Sequence, residues 1–323
     1  MFERLDGRRV TASQRRMARQ YAGDVLGSPA HAPWLEVFSH VRGEFVEGWI
    51  PLDFFDLIVM PHENGVYRSL SSAKSFTHRL FNDAVMPDVA QLIQGRYYDL
   101  KQSPIAVDQV RRHVFSRGEW VIVKDDGGAQ SRNVTLYEPL TFDAGFVARM
   151  HPNAAIQVVI EDHPSFAALS GTSGSKLRIL THRAPGEDSV TRGAYLSIPR
   201  GTDRFTRQGA TTYVSVDVVA GTTGPAYEDA NGRGSRHPDT NALLSGVEIP
   251  GFRDAVVVCE RLHRTVPHVG VIGWDVMIDR DAKPWVIEWN SRVPDLFMIE
   301  AYMGPAFLGL GWHDLRWSPQ KAW

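Results

Sequence analysis

Cysteine occurs once, at Cys259, so no intramolecular disulfide is possible. With no Cys or Cys/His cluster, a structural zinc site lacks its ligands. This composition fits a reducing compartment, and a cytoplasmic location is expected. No run of about 18 apolar residues is present, which excludes a membrane-spanning helix on sequence grounds. The N-terminus MFERLDGRRVTASQRRMARQ is rich in arginine but lacks the apolar centre of a signal peptide, and reads as a solvated helix or frayed tail. Charge of one sign is also lacking: 35 Lys and Arg against 37 Asp and Glu leave a formal net charge of −2. Long-range attraction to nucleic acid or to an anionic membrane is therefore not expected, and any basic site must be local. Neither GxxxxGK[ST] nor GxGxxG occurs, so the two commonest phosphate-loop signatures are missing. There is no internal repeat and no low-complexity segment.

What remains is ordinary globular material: 323 residues, 43% hydrophobic and 22% charged, enough for one large core or two domains. The first seventy residues mix helical periodicity with proline and glycine and read as a helical lead-in. In SSAKSFTHRLFNDAV, Ser71 or Ser72 can cap a helix carrying Phe76, Leu80 and Phe81, with Pro87 as its stop. EWVIVKDDGGAQSRNVTLYE reads as strand, glycine turn, strand. AAIQVVIEDHPSFAAL gives a buried strand, a polar hinge and a helix. LRILTH, AYLSIP and TTYVSVDVV read as strands, and FRDAVVVCERLHRTVP as an amphipathic helix. GTTGPAYEDANGRGSRHPDTN, residues 221 to 241, reads as a long polar loop of the kind that covers a site.

The most informative stretch is GWDVMIDRDAKPWVIEWNSR, residues 273 to 292. A hairpin turning at Asp281 and Ala282 sets Asp275 directly opposite Glu288, with Asn290 on the same face. Trp274, Val276, Ile278, Ile287 and Trp289 then take the apolar face. Opposed carboxylates repel unless one is protonated or a hard divalent cation sits between them, bound as Mg²⁺ prefers through oxygen ligands, with phosphates completing its shell. Spacing alone leaves open a hairpin whose acids only face solvent. Because neither acid lies on the apolar face, Asp275→Asn and Glu288→Gln are expected to leave folding intact. In VIVKDDGGAQSRNV, Lys124 ends a strand ahead of Gly127 and Gly128, which can bring backbone N–H groups against a phosphate. The same residues also suit a plain Asp-Gly hairpin turn.

Lysine, glycine loop, hinge strand, and then Asp and Glu-x-Asn on a late hairpin: in this order the sequence resembles the ATP-grasp superfamily, and more closely its sugar-transfer-associated branch. GEFVEGWIPLDFF, SSAKSF, VIVKDDGG, EDHPSFAAL, KLRILTH, RHPDT and VPHVGVIGWDVMIDRDAKPWVIEWNSR carry the resemblance, from about residue 40 to residue 295. It implies an α+β ATP-grasp fold in which two lobes, each with an antiparallel sheet, clamp ATP. The expected divisions are a helical N-terminal segment over residues 1–68, a small lobe over 69–155 and a large lobe over 156–323.

By position, the resemblance makes Lys74 and Lys124 the phosphate-binding lysines and Gly127 and Gly128 the closing loop. Gln157, Val158, Val159 and Ile160 become the adenine hinge, where the family commonly has Glu at the position of Gln157, and Glu161 the ribose ligand. Asp275, Glu288 and Asn290 become ligands of Mg²⁺. Arg178 and Arg292 would offset charge on the transferring phosphoryl, although Arg178 alone also reads as a surface ion pair. His163, His182 and His237 have no partner at triad or metal spacing and read as structural, and Cys259 as a buried inert thiol. The implied cofactors are ATP and Mg²⁺, and the partners a small-molecule carboxylate and an amine or thiol joined through an acylphosphate. A sugar acid or amino acid in polysaccharide biosynthesis is the expected carboxylate. A kinase of a small alcohol and a non-catalytic nucleotide-binding module are the alternatives, and oligomeric state is left open.

Overall fold

Alternating apolar residues from Asp88 onward build two antiparallel sheets. The computed structural model describes residues 9–127, 134–201, 206, 210–228 and 232–317. The strands are β1 (Asp88–Ile93), β2 (Arg96–Tyr98), β3 (Val121–Asp125), β4 (Val134–Tyr137), β5 (Ala154–Val158), β6 (Lys176–His182), β7 (Val190–Pro199), β8 (Thr211–Asp217), β9 (Thr222–Glu228), β10 (Gly232–Gly234), β11 (Val271–Ile278) and β12 (Pro284–Asn290). The first sheet runs β2-β1-β5-β3-β4 and the second β10-β9-β8-β7-β6-β11-β12. This is the expected α+β architecture, preceded by helices Ala12–Asp24 and Ala32–Arg42.

Three apolar cores hold these layers. Under the five-stranded sheet, Val110 and Val114 of helix Val107–Val114 meet Val121, Val123 and Ile156. On one face of the seven-stranded sheet, helix Phe252–His263 presents Ala255, Cys259 and Leu262, spaced for one helical face, to Ile272, Trp274 and Val276. That helix begins at Gly251, φ +64°, where a Cβ would collide with the Ala282 carbonyl, so its N-terminus sits directly on the β11–β12 turn. The other face meets the N-terminal segment, with Trp49, Phe54 and Phe55 packed among Leu180, Tyr195, Val271 and helix Phe297–Met303. Glu300 of that helix is fully buried and accepts the Ile50 and Ala306 N–H groups; burial pushes its carboxyl up to about 8.

Three local expectations need correction. Ser71 and Ser72 lie in a 3₁₀ helix, Gly65–Ser72, and do not cap helix Lys74–Phe81. Its cap comes from across the chain: Asp126 Oδ1 accepts the Ser75 N–H at 2.8 Å, and Oδ2 accepts the Ser75 hydroxyl at 2.7 Å. The helix stops at Asn82 in the left-handed conformation, φ 47°, five residues before Pro87, and Phe76 is exposed while Phe81 is buried. Within residues 221 to 241, Thr222–Glu228 form β9 and Gly232–Gly234 form β10, because Tyr213 and Val214 of β8 offer an open ladder to Tyr227 and Ala226. Residues 229–231 of that stretch lie outside the described residues.

Candidate active site

The β11–β12 hairpin pairs Asp275 with Glu288, Trp274 with Trp289 and Gly273 with Asn290, the register expected from the sequence. Beyond Asp275 the register slips by one at a bulge, so Val276 faces Val286. The extra residue is Ile287, which leaves the apolar face it was expected to share and lines the cleft instead. Its carbonyl accepts Lys124 Nζ at 2.9 Å, so a defect in the ladder anchors a cation from the other sheet. Behind the hairpin, Trp274 and Trp289 are buried against the edge of Phe81, with ring centroids 5.5 and 5.2 Å away.

Asp275 is 1% exposed. Its neighbour across the ladder is Arg178 on β6, and the two-residue side-chain period brings Lys176 to the same face. Lys176 Nζ donates to Asp275 Oδ2 at 2.6 Å, and Arg178 Nε lies 2.6 Å from Oδ1 in a side-on ion contact that leaves that oxygen without an aligned hydrogen bond. Burial disfavours the carboxylate, but the Arg178 and Lys176 charges override it and hold Asp275 below the usual carboxylate range. Arg178 also donates from Nη1 to the Pro294 carbonyl at 3.0 Å; burial works against its charge, and Asp275 more than restores it. Next to it the Tyr195 hydroxyl donates to Asp295 Oδ2 at 2.7 Å, and Asp295 itself has φ 66°.

Between the two sheets lies an open cleft of ≈ 1380 Å³, lined among others by Lys74, Lys124, Gln157, Lys176 and Glu288. Lys74, in the first turn of its helix, is 3.3 Å from Glu288 Oε1. Lys124 is nearly fully buried, and burial lowers its ammonium to about 8 against the pull of Glu288. Gly127, φ +72°, donates its N–H to the Ser72 carbonyl at 2.7 Å, which ties the start of the glycine loop to the Lys74 helix. Gly128 lies outside the described residues. On the hinge, Val158 and Val159 donate to the Pro87 and Trp120 carbonyls, whereas Ile160 makes no backbone hydrogen bond to any described residue. Glu161 lines the cleft but is exposed and paired with Arg280 at 2.6 Å. Arg292 is exposed on the turn after β12 and does not line the cleft. Asn290 is partly buried, its amide nitrogen without a hydrogen-bond partner.

The histidines singled out in the sequence are structural: His163 Nδ1 accepts the Ser165 N–H, His182 sits beside Glu63, and His237 contacts the Pro199 carbonyl. Burial pushes the Cys259 thiol well up, leaving it unreactive. Three site residues escaped the sequence reading. Lys176 was legible, standing two places before Arg178 on one strand. Asp126 was visible beside the glycines, but not as the distant cap of the Lys74 helix. Asp88 gave no signal: it is buried opposite Gln157, which donates Nε2 to it at 3.4 Å, and burial raises its carboxyl to about 6 despite Lys124.

Lys74, Lys124, Lys176 and Arg178 thus gather around Asp275 and Glu288, and of these Lys74, Lys124, Lys176 and Glu288 line the cleft, leaving its lining here net positive. Two opposed carboxylates and the Asn290 amide oxygen are hard oxygen donors of the kind a divalent cation takes, and Asp275 Oδ1 is held only by the side-on Arg178 contact, with no aligned hydrogen bond. Among the described residues no group of three or more His, Cys, Asp or Glu is placed to hold a metal ion, at this hairpin or elsewhere.

No curated protein matches the chain. Among solved structures it is similar to biotin carboxylase from Campylobacter jejuni (11% identity, 73% of this chain and 43% of that one, TM-score 0.47). It is also similar to D-alanine-D-alanine ligase from Coxiella burnetii (13%, 79% and 59%, TM-score 0.46). A third is the L-amino acid ligase from Bacillus licheniformis (12%, 70% and 42%, TM-score 0.39). The chain spans roughly half the length of these proteins. The family model described as sugar-transfer associated ATP-grasp matches residues 145–309, just over half of the chain, from the helix ahead of the hinge strand past the Asp275–Glu288 hairpin. The chain therefore belongs to the sugar-transfer-associated ATP-grasp family.

Proposed function

We propose that the protein is an ATP-dependent ligase that joins a small carboxylate to an amine or thiol through an acylphosphate. The observation that carries this reading is the meeting of Lys74, Lys124, Lys176 and Glu288 at one cleft between two sheets, with Asp275 and Arg178 paired directly behind Lys176. A cleft of that size and charge suits a nucleoside triphosphate. In this reading the segments 69–155 and 156–323 act as the two lobes of the clamp.

The adenine would lie along Gln157 to Ile160, where the unused Ile160 backbone groups offer a donor and an acceptor. Glu161 would take the ribose hydroxyls, releasing Arg280. Lys74 and Lys124 would hold phosphate oxygens, with Gly127 and Gly128 covering them. Asp275, Glu288 and Asn290 would hold Mg²⁺, which when bound neutralises phosphate charge. The acceptor carboxylate attacks the γ-phosphorus, the bond to the β–γ bridging oxygen breaks, and ADP leaves with that electron pair. The amine or thiol then attacks the acyl carbon, expelling phosphate and giving up a proton. No protein nucleophile is needed; positioning and cations supply the rate, and Arg178 would offset the charge on the moving phosphoryl, whereas Arg292, exposed outside the cleft, is left without that role. A sugar acid or amino acid used in polysaccharide biosynthesis is the acceptor that the family description favours, by association rather than by a contact.

The test is to supply ATP and Mg²⁺ with small carboxylates and amines, singly and in pairs, and to follow ADP, phosphate and product mass. ADP and phosphate released together only when both substrates are present, with a product lighter than their sum by one water, supports the ligase. A phosphorylated alcohol formed with no amine requirement contradicts it.

A further inference from the structure

Each acid of the hairpin is held by a lysine that also lines the cleft. Lys176 lies 2.6 Å from Asp275 and Lys74 lies 3.3 Å from Glu288, and both lysines border the space where a ligand enters. An approaching divalent cation can reach Glu288, which itself lines the cleft, but meets the Lys176 ammonium before it meets Asp275. At Asp275 the obstruction is nearly complete, since the residue is 1% exposed and Arg178 closes its second oxygen.

The two cations on Asp275 differ in freedom. Arg178 is pinned from both sides, by Asp275 and by the Pro294 carbonyl. The Lys176 ammonium has no partner among the described residues except Asp275, and its flexible stem runs along the cleft wall with the side chain 23% exposed. It can turn toward a ligand without breaking any other contact.

We infer that Lys176 is an exchangeable counter-ion, occupying Asp275 and keeping divalent cations off it until a polyphosphate in the cleft draws the ammonium away. The inference rests on the nucleotide reading of the site and adds an order to it: metal arrives with the nucleotide, not before. The effect is a coupling between two ligands, so nucleotide strengthens metal binding and metal strengthens nucleotide binding by the same factor. Lys176 carries a share of that factor, because freeing Asp275 exposes a metal ligand and supplies a phosphate cation in one movement. Asp275 keeps Arg178 when Lys176 is neutralised, so the fold is retained.

The experiment is direct titration of Mn²⁺, followed by the loss of its free electron-spin signal, with and without ADP. The proteins are wild type, Lys176→Met, Lys176→Gln and Lys176→Arg. Wild type is expected to bind Mn²⁺ weakly alone and strongly with ADP. The two neutral variants should bind Mn²⁺ alone about tenfold more tightly, bind metal-free ADP more weakly, and show a smaller ADP enhancement, while Lys176→Arg keeps the wild-type pattern. Neutral variants that bind nucleotide-free Mn²⁺ no better than a wild type competent for Mn²⁺–ADP overturn the counter-ion role and leave the nucleotide site standing. A wild type that binds neither ADP nor Mn²⁺–ADP overturns both.

Discussion

At the scale of single residues, two carboxylates that look equivalent in the sequence are not equivalent in the fold. Glu288 borders the cleft, whereas Asp275 is sealed between Lys176 and Arg178. Asp275→Asn leaves a buried guanidinium without its partner, so it is expected to cost about 3–5 kcal/mol of stability as well as activity. A urea midpoint for Asp275→Asn equal to wild type contradicts this. The expectation that both acids could be neutralised without harm to folding is therefore withdrawn for Asp275, since strand alternation reveals which face a residue takes but not whether that face is covered. Lys124 yields a pH prediction. Its folded value of about 8 lies below the ordinary lysine value, so the ammonium is lost as pH rises through 8. Nucleotide affinity should fall over that range, and should be weak and flat there in Lys124→Met. The same titration acts oppositely on the free protein: between about 8 and the unfolded lysine value near 10.4, the unfolded chain holds a proton that the folded one has released, so this group's share of stability rises with pH. Calorimetric titration with an ATP analogue from pH 7 to 9 reads the binding effect, and an unchanged affinity in wild type contradicts it.

At the scale of elements, the site depends on joints between segments distant in sequence. Asp126 caps the helix that carries Lys74, and Gly127 bonds to Ser72 in the preceding turn, so residues 126 and 127 and the Lys74 helix are anchored to each other. Asp126→Ala is expected to lower stability by about 1 kcal/mol, the usual worth of an N-cap. It should also weaken nucleotide binding, because the Lys74 end of the helix loses its tether. A thermal midpoint and an ATP affinity both equal to wild type refute this. The sequence signalled a helix here but assigned the cap to neighbouring serines, because capping patterns are local and this cap crosses 51 positions. The hairpin register of Asp275 and Glu288 was legible from the turn at Asp281 and Ala282. The bulge at Ile287 was not, since nothing in an apolar residue marks which side of a slipped ladder it will take.

At the scale of the whole molecule, two antiparallel sheets meet along the Val158–Asp162 segment and enclose one large cleft, while the N-terminal helices back the far face of the larger sheet. The strand order along the chain was readable from alternation and turn residues. The polar stretch of residues 221 to 241 was misread as loop because glycines and a proline obscure β9, whose pairing is imposed by the neighbouring strand. What brings distant parts together is packing: Lys124 reaches the Ile287 carbonyl over 163 positions, and Lys176 reaches Asp275 over 99. The central claim is that this cleft binds a nucleotide with a divalent cation. It is tested most directly by thermal unfolding of wild type and Glu288→Gln with a non-hydrolysable ATP analogue, with and without Mg²⁺. Ligand at 100 times its Kd adds about 2.7 kcal/mol to a native state that alone binds it, a rise of a few degrees in Tm. The account predicts a Mg²⁺-dependent rise in wild type that is lost in Glu288→Gln; no rise with any nucleotide, or an equal rise in the variant, contradicts it.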